Sequence, residues 1–189
     1  KRVNPGTPEE PVLFLKPSTA IIGPGEEVIY PEMTRRVDYE AELAVVIGAR
    51  AENLSPEESR GVILGYTCAN DVTARDLQKK DGQWTRAKGF NTFLPLGPWI
   101  ETELDPENLR VRFYLNDQLC QNSSTQNMLF SVDYLVSFVS RVMTLLPGDV
   151  ILTGTPEGVG PVREGDQMKV VVEGIGALTN MVARKPSTP

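Results

Sequence analysis

The sequence predicts a strand-rich α+β fold, and three observations predict it. Short apolar or alternating runs recur along the whole chain. Fifteen prolines and sixteen glycines punctuate them, and few stretches carry a helical signal. Such a mixture packs as sandwiched or rolled sheets with a few short helices, not as a doubly wound sheet. The 189 residues, 40% hydrophobic and 23% charged, suffice for one domain over residues 1–189 with a core of its own. No internal repeat, low-complexity tract or linker divides them.

Taken in order, Val12 to Leu15 reads as a buried strand stopped by Pro17. Tyr39 to Ile47 is the clearest alternating strand, with Tyr39, Ala41, Leu43, Val45 and Ile47 on one face. Ser55-Pro56-Glu57-Glu58 has capping-box spacing with proline at the first helical position, so a helix starts there. Val62 to Cys68 is an apolar stretch that reads as buried. Leu109 to Leu115 alternates, turns at Asn116-Asp117 and returns through Leu119 as a hairpin. Val132, Leu135, Val136, Val139, Val142 and Met143 recur at helical spacing after a cap at Ser131. Pro147-Gly148-Asp149 ends that helix and leads into a strand from Val150 to Thr153. The last strands run over Met168 to Val172 and Leu178 to Val182.

Bulk properties narrow the function. A formal net charge of −6 argues against nucleic-acid binding, which needs a concentrated basic face. No apolar run approaches the roughly 20 residues that cross a bilayer as a helix. Cys68 and Cys120 lack a CxxC spacing and read as reduced thiols, which places the protein in the cytoplasm. The sequence contains no histidine, so the commonest general base and zinc ligand is missing. It opens at Lys1 without methionine, in a polar, proline-containing stretch, and a further segment upstream is expected.

The candidate chemistry lies in carboxylates. Glu40 and Glu42 are two apart on an alternating strand and so share the face opposite Tyr39 and Leu43. Their attachment points are about 6–7 Å apart, within reach of one cation. An isolated pair of this kind is ordinarily a solvated strand surface. Asp71 changes that reading, because it closes an apolar stretch just before a new turn, where sites are commonly built. Three carboxylates make an all-oxygen site suited to Mg²⁺ or Mn²⁺, or to Ca²⁺ with more ligands. About three positions on an octahedral ion stay open, and a 2-oxo acid fills two through its carboxylate and keto oxygen. A site of this kind suits enolate-forming chemistry at the next carbon.

Two further segments support the cluster. Lys88, in Trp84 to Thr92, is either an exposed lysine or a cation that pairs with substrate and offsets the acids. Thr153-Gly154-Thr155-Pro156-Glu157-Gly158 follows a buried strand and lacks P-loop spacing. It reads first as turn chemistry, and its amides and Thr155 hydroxyl also suit a substrate carboxylate.

With Glu40-x-Glu42, Asn70 to Asp76, Ala87-Lys88-Gly89-Phe90 and Thr153-Gly154-Thr155-Pro156 in order, the sequence closely resembles the fumarylacetoacetate hydrolase family. Phe14-Leu15-Lys16-Pro17-Ser18 and Pro147 to Leu152 match as well, so the resemblance covers nearly the whole chain. It implies the family's mixed β-sandwich roll and a homodimer. It implies that Glu40, Glu42 and Asp71 hold Mg²⁺, or Mn²⁺ or Ca²⁺, that Gln78 and Lys88 hold the oxo-acid end of the substrate, and that Thr155 binds its carboxylate. Members that cleave C–C bonds carry a His-x-x-Glu pair on an N-terminal lid, which is expected upstream of Lys1.

The spacing of the motifs is most similar to the bacterial isomerase, decarboxylase and acylpyruvase branch of aromatic catabolism. That branch acts on compounds such as 2-hydroxyhepta-2,4-diene-1,7-dioate and 5-carboxymethyl-2-oxo-hex-3-ene-1,7-dioate. The resemblance implies a metal-dependent enzyme for C–C bond chemistry on a small 2-oxo dicarboxylate, with acylpyruvate hydrolysis or oxo-acid decarboxylation leading. Keto–enol isomerisation of the dienedioate or of oxaloacetate follows closely. A catalytically inactive metal-binding paralogue is the more distant alternative. The partners implied are the oxo acid and a second copy of the chain, with neither nucleic acid nor membrane.

Overall fold

The computed structural model describes residues 8–184. Its strands are β1 (Ile21–Ile22), β2 (Glu27–Ile29), β3 (Val37–Tyr39), β4 (Ala41–Ile47), β5 (Ile63–Asn70), β6 (Thr73–Ala74), β7 (Leu94–Glu101), β8 (Arg110–Leu115), β9 (Gln118–Ser124), β10 (Val150–Leu152), β11 (Gly160–Pro161), β12 (Gln167–Val172) and β13 (Gly176–Ala183). The helices are short: α1 (Pro56–Ser59), α2 (Arg75–Asp81), α3 (Thr85–Lys88) and α4 (Val132–Val142). The fold class is therefore the strand-rich α+β type that the sequence predicts.

Two five-stranded sheets, ordered β1-β7-β5-β4-β10 and β2-β13-β12-β8-β9, pack face to face, and a three-stranded sheet β11-β3-β6 closes one side. The core fills the space between the large sheets. Leu43, Val45, Ile47 and Cys68 come from one sheet, and Phe113, Met168, Val170 and Leu178 from the other. Each fully buried aliphatic side chain contributes roughly 1.5–3 kcal/mol. The Tyr39 ring stacks on Phe113 with centroids 3.8 Å apart, which fixes the small sheet against the second large one.

Local signals account for most elements. Ser55 and Glu58 form the expected capping box, and Ser131 Oγ accepts the Tyr134 N–H at 3.3 Å to start α4. Asn116 and Asp117 both take positive φ (49° and 64°), the conformation of a two-residue hairpin turn joining β8 to β9. Cys68 is buried and Cys120 half-buried, and both are free thiols. No described helix is long and apolar enough to cross a membrane.

Two expectations are corrected. Residues 12–15 form no strand, and Val12 and Leu15 are 65% and 70% exposed. The short β1, not this segment, takes the free edge of β7, while Phe14 packs edge-on against Trp84 at 5.4 Å. The strand expected over Tyr39 to Ile47 is broken at Glu40, where the chain passes from the small sheet into a large one. Both faces of β4 are buried, so its alternation does not separate core from solvent.

Candidate metal centre

The break at Glu40 builds the centre. There the Glu40 N–H donates to Asn70 Oδ1 at 2.9 Å instead of to a ladder partner. The Asp71 N–H donates to the Glu40 carbonyl at 2.8 Å. The end of β5 is thereby tied to the start of β4. Glu40, Glu42 and Asp71 each present a carboxylate oxygen, and these oxygens lie within 4.8 Å of one another. All three residues are buried, at 6%, 3% and 1% exposure.

Basic groups meet two of the three acids. Lys88 Nζ donates to Glu40 Oε2 at 2.9 Å and also to Asp71 Oδ2. Lys16 Nζ donates to Asp71 Oδ1 at 2.7 Å and to the Val72 carbonyl at 3.3 Å. Arg75 pairs with Glu40 Oε1 and reaches Asp38 Oδ2 at 3.0 Å. Glu42 is different. Its carboxylate accepts the Gly154 N–H at 2.6 Å and has no ion-pair partner among the described residues.

The electrostatics follow from that inequality. Burial, with the charges of Asp71 and Glu40 adding to it, pushes the Glu42 carboxyl well above the usual carboxylate range. Burial opposes the charge on Lys88, but Asp71 and Glu40 outweigh it and hold the ammonium above an ordinary lysine. At Lys16 burial prevails over Asp71, and the pKa is lowered. A buried carboxylate without a counter-charge costs several kcal/mol. A divalent cation at the meeting point of the three carboxylates removes that cost. The all-oxygen donor set fits Mg²⁺, Mn²⁺ or Ca²⁺.

The other residues singled out in the sequence lie close by. Lys88 ends α3, is 2% exposed, and sits 4.8 Å from the centroid of the Phe14 ring. Its burial excludes the exposed-lysine reading. Gln78, on α2, accepts from Arg75 Nη1 at 2.8 Å and so stands one side chain away from Glu40. Thr155 donates its hydroxyl to the Ala41 carbonyl at 2.9 Å and accepts from Gln121 Nε2 at 2.8 Å. The cluster thus unites Glu40, Glu42, Asp71 and Lys88, with Gln78 and Thr155 one contact removed. Lys16, Asp38, Arg75 and Gln121 were not foreseen. Lys16 and Arg75 stand within recognised motifs, but no pattern in the sequence tells a buried basic residue from an exposed one.

Comparison with known proteins shows the family and the fold. Residues 1–183 match the model of the fumarylacetoacetate (FAA) hydrolase C-terminal family. A 5-carboxymethyl-2-hydroxymuconate delta-isomerase from Mycobacterium smegmatis superposes with a TM-score of 0.95 at 53% identity, over 98% of this chain and 74% of that one. A 2-hydroxyhepta-2,4-diene-1,7-dioate isomerase from Mycobacterium marinum gives 0.94 at 52% identity, over 96% and 72%. A mitochondrial oxaloacetate tautomerase of Bos taurus is 42% identical over 97% of this chain and 86% of its own length. A maleylpyruvate hydrolase from Sphingobium sp. SYK-6, solved with manganese(II) and pyruvate, gives 0.85 at 37% identity, over 92% and 64%.

Proposed function

Because the chain belongs to the fumarylacetoacetate hydrolase family, we propose that it is a divalent-metal-dependent enzyme that interconverts keto and enol forms of a small 2-oxo dicarboxylate. The observation that carries this reading is Glu42, buried, without an ion-pair partner among the described residues, and with its carboxylate close to those of Glu40 and Asp71. Isomerisation is placed ahead of hydrolysis and decarboxylation, reversing the order drawn from the sequence. The support is that relatives at 52–53% identity are named as isomerases, and one at 42% as a tautomerase. The second reading, C–C hydrolysis, is favoured by the likeness to the maleylpyruvate hydrolase that holds manganese and pyruvate.

The chain's own groups fit a dianionic oxo acid. When bound by Glu40, Glu42 and Asp71, Mg²⁺ or Mn²⁺ supplies Lewis-acid polarisation of the substrate carbonyl. Lys88 brings a fixed positive charge to the oxo-acid end and loses little entropy in doing so, because Glu40 and Asp71 already hold it. Gln78 has its carbonyl turned to Arg75, which leaves its amide N–H groups to donate to a carboxylate. The Gly154–Thr155 loop stands beside Glu42. Its Gly154 N–H is taken by Glu42 and its Thr155 hydroxyl proton by the Ala41 carbonyl, so the Thr155 backbone N–H is the donor it offers to the other carboxylate.

Following the enol form of oxaloacetate in the presence of Mg²⁺, after EDTA, and with Glu42→Gln tests the proposal. Accelerated ketonisation that is lost in both controls is expected. CO₂ release or pyruvate formation without faster ketonisation overturns the isomerase reading in favour of decarboxylation. The proposed partner in solution is a second copy of the chain. The half-buried aromatic ladder of Phe130, just before α4, and Tyr134 and Phe138 on that helix, with Leu129 63% exposed beside it, supports this. Light scattering that gives a monomer mass overturns it.

A further inference from the structure

Gln121 belongs to β9, in the opposite large sheet, 80 positions from the strand that carries the acids. It is 1% exposed, and its whole carboxamide is hydrogen-bonded. Oε1 accepts the Ala41 N–H at 3.0 Å, while Nε2 donates to Thr155 Oγ1 at 2.8 Å and to the Pro156 carbonyl at 2.9 Å. The Thr155 hydroxyl in turn donates to the Ala41 carbonyl at 2.9 Å. Ala41 stands between Glu40 and Glu42, and its ladder neighbour β10 has ended at the Leu152–Ala44 pair. Buried backbone groups must be paired. At Ala41 one amide side chain and one hydroxyl perform the task that a strand performs elsewhere.

We infer that Gln121 is a positioning residue of the metal centre, acting through Ala41 and Thr155. It rests on the reading that Glu40, Glu42 and Asp71 hold a divalent cation. Both N–H groups and the carbonyl of the carboxamide are engaged, so its orientation is fixed. Holding Ala41 fixes the directions in which the Glu40 and Glu42 side chains leave the backbone. Holding Thr155 and Pro156 fixes the loop whose Gly154 N–H meets Glu42 Oε2 at 2.6 Å. Removing the amide frees both arms of that arrangement without touching a metal ligand.

Two variants and a binding measurement test it. Gln121→Met keeps the volume and removes all three hydrogen bonds. Gln121→Glu keeps an acceptor for Ala41 but turns an anion toward the Pro156 carbonyl. Mn²⁺ affinity read by electron paramagnetic resonance is expected to fall about tenfold or more in each, the loss typical of groups that orient metal ligands. KM for oxaloacetate is expected to rise along with it. A purely structural role lowers thermal stability and leaves Mn²⁺ affinity alone, so affinity within twofold of the parent overturns the inference. Where Gln121→Met does not fold, Gln121→Glu decides the question by the same criterion. A parent protein that binds no Mn²⁺ overturns the metal reading and this inference with it. A parent that binds, beside variants that bind equally well, overturns this inference alone.

Discussion

Lys16 and Asp71 stand 55 positions apart in the chain and 2.7 Å apart in the fold. With Lys88 on the other oxygen, Asp71 carries an ammonium on each side. Its charge is answered by direct ion pairs, whereas Glu42 has none among the described residues. The centre therefore has a built-in asymmetry: two acids already stabilised by lysines, and one left for the proposed cation.

Glu42→Gln should separate metal binding from stability. The amide still accepts the Gly154 N–H but no longer repels Glu40 and Asp71. The metal-free variant is expected to melt at or above the parent's temperature. In the parent, Mn²⁺ at 100 times its Kd should add about 2.7 kcal/mol, a rise of roughly 5–11 °C for a chain of this size. Calorimetry should show that rise absent in the variant. A variant stabilised by Mn²⁺ as strongly as the parent would remove Glu42 from the ligand set.

The pH dependence follows from the same residue. Its folded pKa lies above the ordinary value of 4.5, so between the two the folded state binds more protons than the unfolded one. Stability from neutral Glu42 is fully present below the unfolded value and is lost as pH rises toward the folded value. The metal-free protein should lose stability relative to Glu42→Gln across that window, and Mn²⁺ binding should release a proton there. Titration calorimetry in buffers of different ionisation enthalpy measures the release; heats independent of buffer would contradict it.

Much of this centre was legible in the sequence because it is built from local spacing. The two-residue spacing of Glu40 and Glu42 predicts that their carboxylates meet, and they do, although Glu40 lies at a break and not within β4. Asp71 closes a buried run, and the Asn116-Asp117 turn and Ser131 cap carry their own chemistry. What was hidden is non-local. The strand break at Glu40 depends on the side chains of Asn70 and Gln121 replacing ladder bonds, and no pattern around Glu40 announces them. Val12 to Leu15 has the composition of a buried strand, but burial requires a vacant sheet edge, and β1 takes it.

Lys88→Met should be costly. Glu40 would keep only Arg75, and Asp71 only Lys16, so buried charge would be left partly uncompensated. Breaking such a pair costs about 3–5 kcal/mol, and added Mg²⁺ should recover part of it. Turnover is expected to fall by about 100-fold or more, because a charge aimed at the substrate is also lost. Denaturant unfolding with and without Mg²⁺, beside the oxaloacetate assay, checks both. Unchanged stability and turnover would show that Lys88 is dispensable.

The two glycines that flank β10, Gly148 before it and Gly158 after it, offer a sharper comparison because their φ angles are nearly the same. Gly148 and Gly158 have φ of +92° and +96°, so alanine at either forces a side chain into the left-handed region at a cost of about 1–2 kcal/mol. Their surroundings differ. A Cβ at Gly148 meets nothing within 4 Å, whereas one at Gly158 would lie 2.4 Å from the Cys120 carbonyl. Relief there requires the loop to lift from β9, beside the Gln121 contacts that seat Thr155 and Pro156. Both variants should lose comparable thermal stability from the backbone strain, with a further loss in Gly158→Ala from the collision. Only Gly158→Ala should also weaken Mn²⁺ binding, by several-fold or more. Equal Mn²⁺ affinity in the two variants would mean that the seat of this loop on β9 does not govern the centre, and that Glu42 is held by β4 alone.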